Sequence, residues 1–261
     1  MTAARALPKA DRDPVRFSLL KNMGKSAAHY LDALTRQRDT PSLKKGRALH
    51  SYLLGDTGSV VVYGGRRDER TAEYRQFLAD NPGKEILIAS ELETVQGMRD
   101  SLERNSEAID LLQGTVEKRM FWNWLGRECA GTPDVRTPRR VVELKTCRCA
   151  DPDRFKWDAL RFSYHAQLAF YRLGMIESGF GTPTEHLIVA VESAPPYPVT
   201  ILRLTERTID LGERACRLWL ERLLVCEAFD RWPAYCESVV ELELANDSEE
   251  MLGEEEEIDD E

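Results

Sequence analysis

The chain has 261 residues, 42% of them hydrophobic, which is enough to bury one large α/β core or two small ones, one being the simpler reading. It holds no run of about 18 apolar residues, and residues 1–17 lack the apolar centre of a secretion signal, so a soluble, cytoplasmic protein without membrane contact is expected. Six cysteines with no CxxC pair argue against a disulfide framework or a zinc ribbon.

The formal charge of −9 is a local property. Residues 241–261 contain twelve acids and no Lys or Arg, so the first 240 residues carry 36 basic against 33 acidic groups. A tract of like charges repels itself and buries little apolar area, so residues 241–261 are expected to be disordered, as a solubilising tail or as one that docks a partner. Residues 1–16 are polar and read as a mobile segment, which leaves 17–240 as a single domain.

In chain order, apolar residues at helical spacing from Leu19 to Leu34 predict one or two helices over 18–38. After Pro41, Ser42 reads as the cap of a helix that carries Gly46 and His50. Residues 60–63 and 84–89 read as strands around a helix at 69–79, and Ser90-x-x-Glu93 as a capping box for a helix from 91 to 104. Residues 114–124 and 126–135 read as two strands joined at Leu125-Gly126, with Glu117 in the first among aromatic residues. Asp151 or Asp153 caps a short helix through Trp157, and Ser163 begins a longer one. Strands at 185–191 and 199–204 flank a proline-rich turn. Thr205 then caps a final amphipathic helix to Phe229 that turns Cys216, Trp219, Leu220, Leu223 and Cys226 inward.

The chemistry concentrates in residues 132–149. If 141–149 is a strand, period-2 alternation puts Val141, Glu143 and Lys145 on one face and Val142 and Leu144 on the other. Residues 137–140 read as the connecting turn, which places Asp134 on the neighbouring strand across from Glu143. Two carboxylates and an ammonium then share one small volume, a set suited to phosphodiester hydrolysis. Carboxylate oxygens are hard ligands for Mg²⁺, and a lysine beside the metal can orient water and balance charge developing on phosphate. Taken alone, the same residues also fit a surface hairpin.

Three further positions border this set. Glu117 is a third acid if it faces the buried side of its strand, or an ordinary edge residue if it faces water. His50 is either a metal ligand or a scaffold hydrogen-bonding residue. Gln167 and Tyr171, four apart on one helix face, are able to hold a phosphate or a base, or to form a plain polar flank.

The ordered set GRALH, Glu117, Pro133-Asp134, Glu143-x-Lys145 and Gln167-x-x-x-Tyr171 resembles the PD-(D/E)XK nuclease superfamily. Within it the chain is similar to the RecE-type phage and prophage exonucleases (exonuclease VIII), and more distantly to lambda exonuclease and the RecB nuclease domain. The resemblance includes SLLKNMGKSAAHY, DERTAEYRQF and YHAQLAFY, and so spans roughly residues 17 to 205. It implies an α/β (α+β) fold with a restriction-endonuclease-like core, a mixed central sheet flanked by helices. It further implies Mg²⁺-dependent 5′→3′ degradation of one strand of duplex DNA, with Mn²⁺ able to substitute, and 3′ tails for single-strand annealing. By the same resemblance Asp134 and Glu143 are the metal acids, the Leu144 carbonyl is a backbone ligand and Lys145 is the catalytic lysine. Glu117 and His50 join the metal, and Gln167 and Tyr171 lie along the DNA. A homo-oligomeric ring, trimer or tetramer, and a single-strand annealing partner are implied as well, in a bacterial host cell and from a phage or prophage source. An endonuclease on the same fold and a catalytically silent DNA-binding module are the alternative readings.

Two features depart from RecB-like relatives. Cys216, Cys226 and Cys236 are ten apart, so on one helix they lie about 80° and roughly 15 Å from one another, too far to share an iron–sulfur cluster. No P-loop is present, so no ATP use is expected.

Overall fold

The computed structural model of the protein describes residues 13–36, 40–55 and 57–242. The acidic tract from 243 onward and residues 1–12 lie outside the described residues.

The chain opens with β1 (Val15–Arg16), which runs parallel to a later strand, so these two residues belong to a sheet and not to a mobile segment. The short helix α1 (Phe17–Leu20), a 3₁₀ turn (Lys21–Gly24) and α2 (Ala27–Thr35) follow, and the Ser26 side chain caps α2. Helix α3 (Pro41–Leu54) is capped by Thr40, whose hydroxyl accepts the Leu43 amide; the cap sits two residues ahead of Ser42 because Pro41 takes the first helical position. Parallel strands β2 (Val60–Tyr63) and β3 (Glu85–Ile88) enclose α4 (Ala72–Asp80). Helix α5 (Ala89–Glu103) starts two residues earlier than the capping-box pattern suggests, because Glu91 reaches back to the Ile88 amide at 3.1 Å. Helix α6 (Ser106–Leu111) is too short to leave a periodic signal.

The segment expected as two long strands is instead four short ones: β4 (Thr115–Val116), β5 (Met120–Trp124), β6 (Arg127–Gly131) and β7 (Val135–Thr137). Strand β8 (Arg140–Cys147) pairs antiparallel with β7, joining Val135 to Val142. Helices α7 (Pro152–Arg161), capped by Asp151, and α8 (Tyr164–Glu177) carry the chain over to β9 (Glu185–Glu192), parallel to β8. Strand β10 (Val199–Arg203) and α9 (Glu206–Phe229), capped by Thr205, complete the domain.

The central sheet has the order β10-β9-β8-β7-β4 and is mixed; β1-β6-β5 and β2-β3 form separate small sheets. Alternation along β8 and β9 divides the interior in two. Val141, Ile188 and Ala190 face one core with α1, α2, α8, α9, β5 and β6. Val142, Leu144, Leu187, Val189 and Val191 face another with α3, α5 and α6. Both faces of β8 and β9 are therefore covered, as the unbroken apolar run Leu187–Val191 of β9 requires. Small residues let the outer helices come close. A Cβ on Gly174 of α8 would stand 2.7 Å from the Trp122 ring, and one on Gly212 of α9 would stand 2.5 Å from the His165 carbonyl oxygen.

His186 on β9 is 1% exposed, and its Nε2 has no hydrogen-bond partner. Burial, then the positive charge of Arg172, lower its pKa to about 4. The folded state keeps His186 neutral where the unfolded chain, with an ordinary histidine pKa of about 6.5, takes up a proton. Stability from this residue is thus complete above pH 6.5 and is lost as pH falls toward 4. After allowance for solvent screening, the wild-type protein should lose roughly 1–2 kcal/mol more between pH 7 and pH 5 than His186→Leu, read as urea unfolding midpoints at each pH.

Candidate active site

Glu143 is the most deeply buried acid of the site, 1% exposed in the middle of β8. A carboxylate withdrawn from water needs donors, and three surround it. Its Oε2 accepts the Lys145 ammonium at 2.6 Å and the Gln167 side-chain amide at 2.8 Å, and its Oε1 accepts the Asp134 backbone amide at 3.3 Å. Period-2 alternation explains the first contact, since Glu143 and Lys145 leave the strand on one face. Helix α8, packed over that face, supplies the second.

Asp134 precedes β7 and is 9% exposed; its Oδ2 accepts the Leu144 amide at 2.8 Å. Each acid thus ties the other's strand: Glu143 holds the amide of Asp134, and Asp134 holds the amide that follows Glu143. The pair is fixed where the antiparallel ladder opens.

His50 approaches from α3. Its Nε2 lies 3.1 Å from the Leu144 carbonyl oxygen, and its Nδ1 lies 3.5 Å from Asp134 Oδ1 and 3.7 Å from Glu117 Oε1. Glu117 reaches this position because the chain breaks between β4 and β5. Its φ of 43° is in the left-handed region, unusual for a glutamate, and its amide donates to the Asp134 carbonyl at 2.9 Å. The expectation that Glu117 lies within a strand is corrected here: it terminates one, and the strained backbone turns its carboxylate to His50.

Electrostatics follow from burial and proximity. Burial opposes protonation of His50, but Asp134 and Glu117 outweigh it and raise its pKa. The contact with His50 lowers the Glu117 carboxyl against a smaller opposing effect of burial. Burial, then the charge of Asp134, push the Glu143 carboxyl up, with Lys145 pulling the other way. Lys145 is held protonated: burial disfavours its charge, and Glu143 and Asp134 outweigh that.

His50, Glu117 and Asp134 each offer a ligand atom, and these atoms lie within 4.8 Å of one another; no other such group occurs among the described residues. Two carboxylates and an imidazole, with the Leu144 carbonyl at hand, suit a hard divalent cation such as Mg²⁺ or Mn²⁺. Glu143 is outside this group; Lys145 and Gln167 engage its Oε2, and its Oε1 accepts the Asp134 amide. Gln167 and Tyr171 are brought to the site, but inward: Gln167 Nε2 also donates to the Tyr171 hydroxyl at 3.2 Å, and Tyr171 is only 8% exposed. Tyr171 has too little open surface to stack a base, and the pair braces Glu143 instead.

Two neighbours were not singled out as site residues in the sequence. Tyr164, the first residue of α8, lies with its ring 5.2 Å from Lys145 Nζ. Lys21 has its pKa lowered by burial and then by the charges of Lys145 and Lys25. The only signal for either was its place in SLLKNMGKSAAHY or YHAQLAFY, which names a stretch and not a side chain.

A mixed sheet covered by helices, with Asp134, Glu143 and Lys145 converging beside its central ladder, is the arrangement of a PD-(D/E)XK-like domain. The chain belongs to the family described as PDDEXK-like domain of unknown function (DUF3799), which it matches over residues 16–243. Among curated proteins no sequence matches it. A solved structure from Eubacterium rectale, described as a "putative exonuclease", shares 13% identity and a TM-score of 0.64, covering 96% of this chain and 100% of that one. A phage related exonuclease from Haemophilus somnus shares 12% identity over 84% of this chain and 98% of its own, with a TM-score of 0.36. An alkaline exonuclease from Laribacter hongkongensis shares 14% over 62% and 85%, with a TM-score of 0.32. At these identities the likeness to the first structure is one of fold.

The ligand group yields a direct test. Calorimetric titration with Mn²⁺ should give one site in the wild-type protein. His50→Ala and Glu117→Ala should each weaken it by about tenfold or more, and Tyr171→Phe by much less.

Proposed function

We propose that the protein is a divalent-metal-dependent DNA exonuclease that degrades one strand of a duplex from its 5′ end and leaves 3′ single-stranded tails for annealing-type recombination. The observation that carries the reading is the buried junction of Asp134, Glu143 and Lys145 beside the His50, Glu117 and Asp134 donor group. The exonuclease description of the Eubacterium rectale fold relative favours end-dependent cleavage over internal cleavage.

In this reading Asp134, Glu117 and His50 hold the cation, with the Leu144 carbonyl and Glu143 Oε1 as the further donors on the strand. A divalent cation bound there would supply Lewis-acid polarisation of the scissile phosphate. Lys145, kept protonated by Glu143, positions the attacking water and offsets charge gathering on the phosphate oxygens. Gln167 fixes Glu143, and through it the direction of the lysine. Attack in line with the 3′-oxygen leaving group releases 5′-phosphorylated nucleotides. Mg²⁺ is the working cation, and Mn²⁺ substitutes. The enzyme works as a ring-shaped homo-oligomer, trimer or tetramer, and hands its tails to an annealing protein.

The test is digestion of linear duplex DNA labelled at the 5′ or the 3′ end, beside closed circles, with Mg²⁺ or EDTA. Early release of 5′-labelled mononucleotide, with circles intact and no reaction in EDTA, is expected. Nicked circles would replace the exonuclease reading by an endonuclease on the same fold. Lys145→Ala should lower the Mg²⁺-dependent rate by at least about a hundredfold while duplex binding changes little, and undiminished cleavage would remove Lys145 from the mechanism.

A further inference from the structure

Helix α7 joins the strand of the site to the helix that braces it, and its outer side is unlike an ordinary solvated face. Trp157 is 65% exposed, Leu160 57% and Phe162, just past its end, 40%. Trp157, Leu160 and Arg161 are three and four residues apart, so they form one stripe. Only Phe155 anchors the helix deeply in the core. The stripe runs into the active site: the Phe162 ring stacks on Tyr164 at 5.8 Å, and Lys145 Nζ stands 5.2 Å from the far partner of that stack, Tyr164.

Cations stand beside the exposed rings. Lys156 lies 5.8 Å from the Trp157 ring and Arg161 5.4 Å from the Phe162 ring, and exposed Arg154 is one turn before Trp157. Of the acids on the helix, Asp153 is paired to Lys156 at 3.1 Å, and half-buried Asp158 acts on Tyr164, which leaves Arg154 and Arg161 as the cations of the outer face. Exposed aromatic rings interleaved with cations, continuous with a phosphate-cleaving centre, fit a partner that alternates flat apolar rings with negative charges. That partner is single-stranded nucleic acid, whose bases stack on rings while its phosphates meet the cations.

We propose that the outer face of α7, centred on Trp157 and leading through Phe162, is a stacking track for unpaired bases of the strand next to the cleaved phosphate. The inference rests on the nuclease reading, and it deepens that reading by assigning the surface that takes DNA once it has left the duplex. Tyr171, the aromatic residue expected to meet DNA, is buried against Gln167, so α7 supplies the open rings instead.

The test compares wild type, Trp157→Ala and Trp157→Phe with Ca²⁺ in place of Mg²⁺, using fluorescein-labelled oligo(dT), an abasic strand of equal length and a blunt duplex. Trp157→Ala should weaken oligo(dT) binding by about tenfold, the worth of one stacked base, while Trp157→Phe retains most of the affinity. The abasic strand and the blunt duplex should bind all three proteins within about twofold, because the phosphates still meet the cations. Hydrolysis of thymidine 5′-(p-nitrophenyl phosphate) with Mg²⁺ should be equal in all three proteins, since this substrate is too short to reach Trp157. Equal oligo(dT) affinity in Trp157→Ala, or no oligo(dT) binding by wild type, overturns the proposal. So does a loss as large on the abasic strand, or a change in sedimentation without a change in DNA affinity, which would make the face a contact between proteins. If wild type hydrolyses neither the ester nor duplex DNA, the nuclease reading itself fails, independently of the stacking result.

Discussion

The structure depends on keeping one carboxylate, that of Glu143, out of water. An unpaired buried charge costs several kcal/mol, so every element around Glu143 is arranged to bring it a donor. Lys145 comes from two residues along the strand, Gln167 from the helix above and the Asp134 amide from the next strand. Removing any of these leaves the remaining charges facing a low-dielectric interior. The network that solvates Glu143 is also the one that aims Lys145, so in the proposed mechanism the demands of folding and of catalysis fall on the same atoms.

The partition of the interior by β8 follows from that demand. Because alternate residues leave opposite faces, a single strand serves two cores and still presents acid and lysine together. His50 arrives from the α3 side to the Leu144 carbonyl, and Gln167 from the α8 side to Glu143. The metal-competent group is half exposed through Glu117. Close helix approaches at Gly174 and Gly212 keep α8 and α9 against this frame.

Much of the architecture was legible because it rests on short-range patterns. Alternation from Val141 to Lys145, the caps at Asp151 and Thr205, and the strands Val60–Tyr63 and Glu85–Ile88 follow from local sterics and hydrogen bonding. Departures occur where a distant group overrides the local signal. The α3 cap moved to Thr40 because proline prefers the first helical turn, and α5 lengthened because Glu91 reaches back to Ile88. Residues 114–124 alternate well enough to read as one strand, yet Glu117 takes a left-handed backbone that no neighbouring residue signals. Its conformation is held by the Asp134 carbonyl and rewarded by His50, both remote in sequence.

The sequence by itself determined the strand that carries Glu143 and Lys145 and the sharing of one face by those two residues, because strand periodicity is a property of the local backbone, while the fold class came from the family resemblance of its ordered motifs. It also placed Gln167 and Tyr171 on one helix face. Only the tertiary structure decided which way that face points, and it points into Glu143 because a buried carboxylate needs a donor there. Likewise, only packing separated Glu143, held by lysine and amide, from the His50, Glu117 and Asp134 group left open to a cation. It also left the aromatic side of α7 bare beside the site. Such assignments depend on distances between residues far apart in the chain, and those distances are set by how two cores close around one strand.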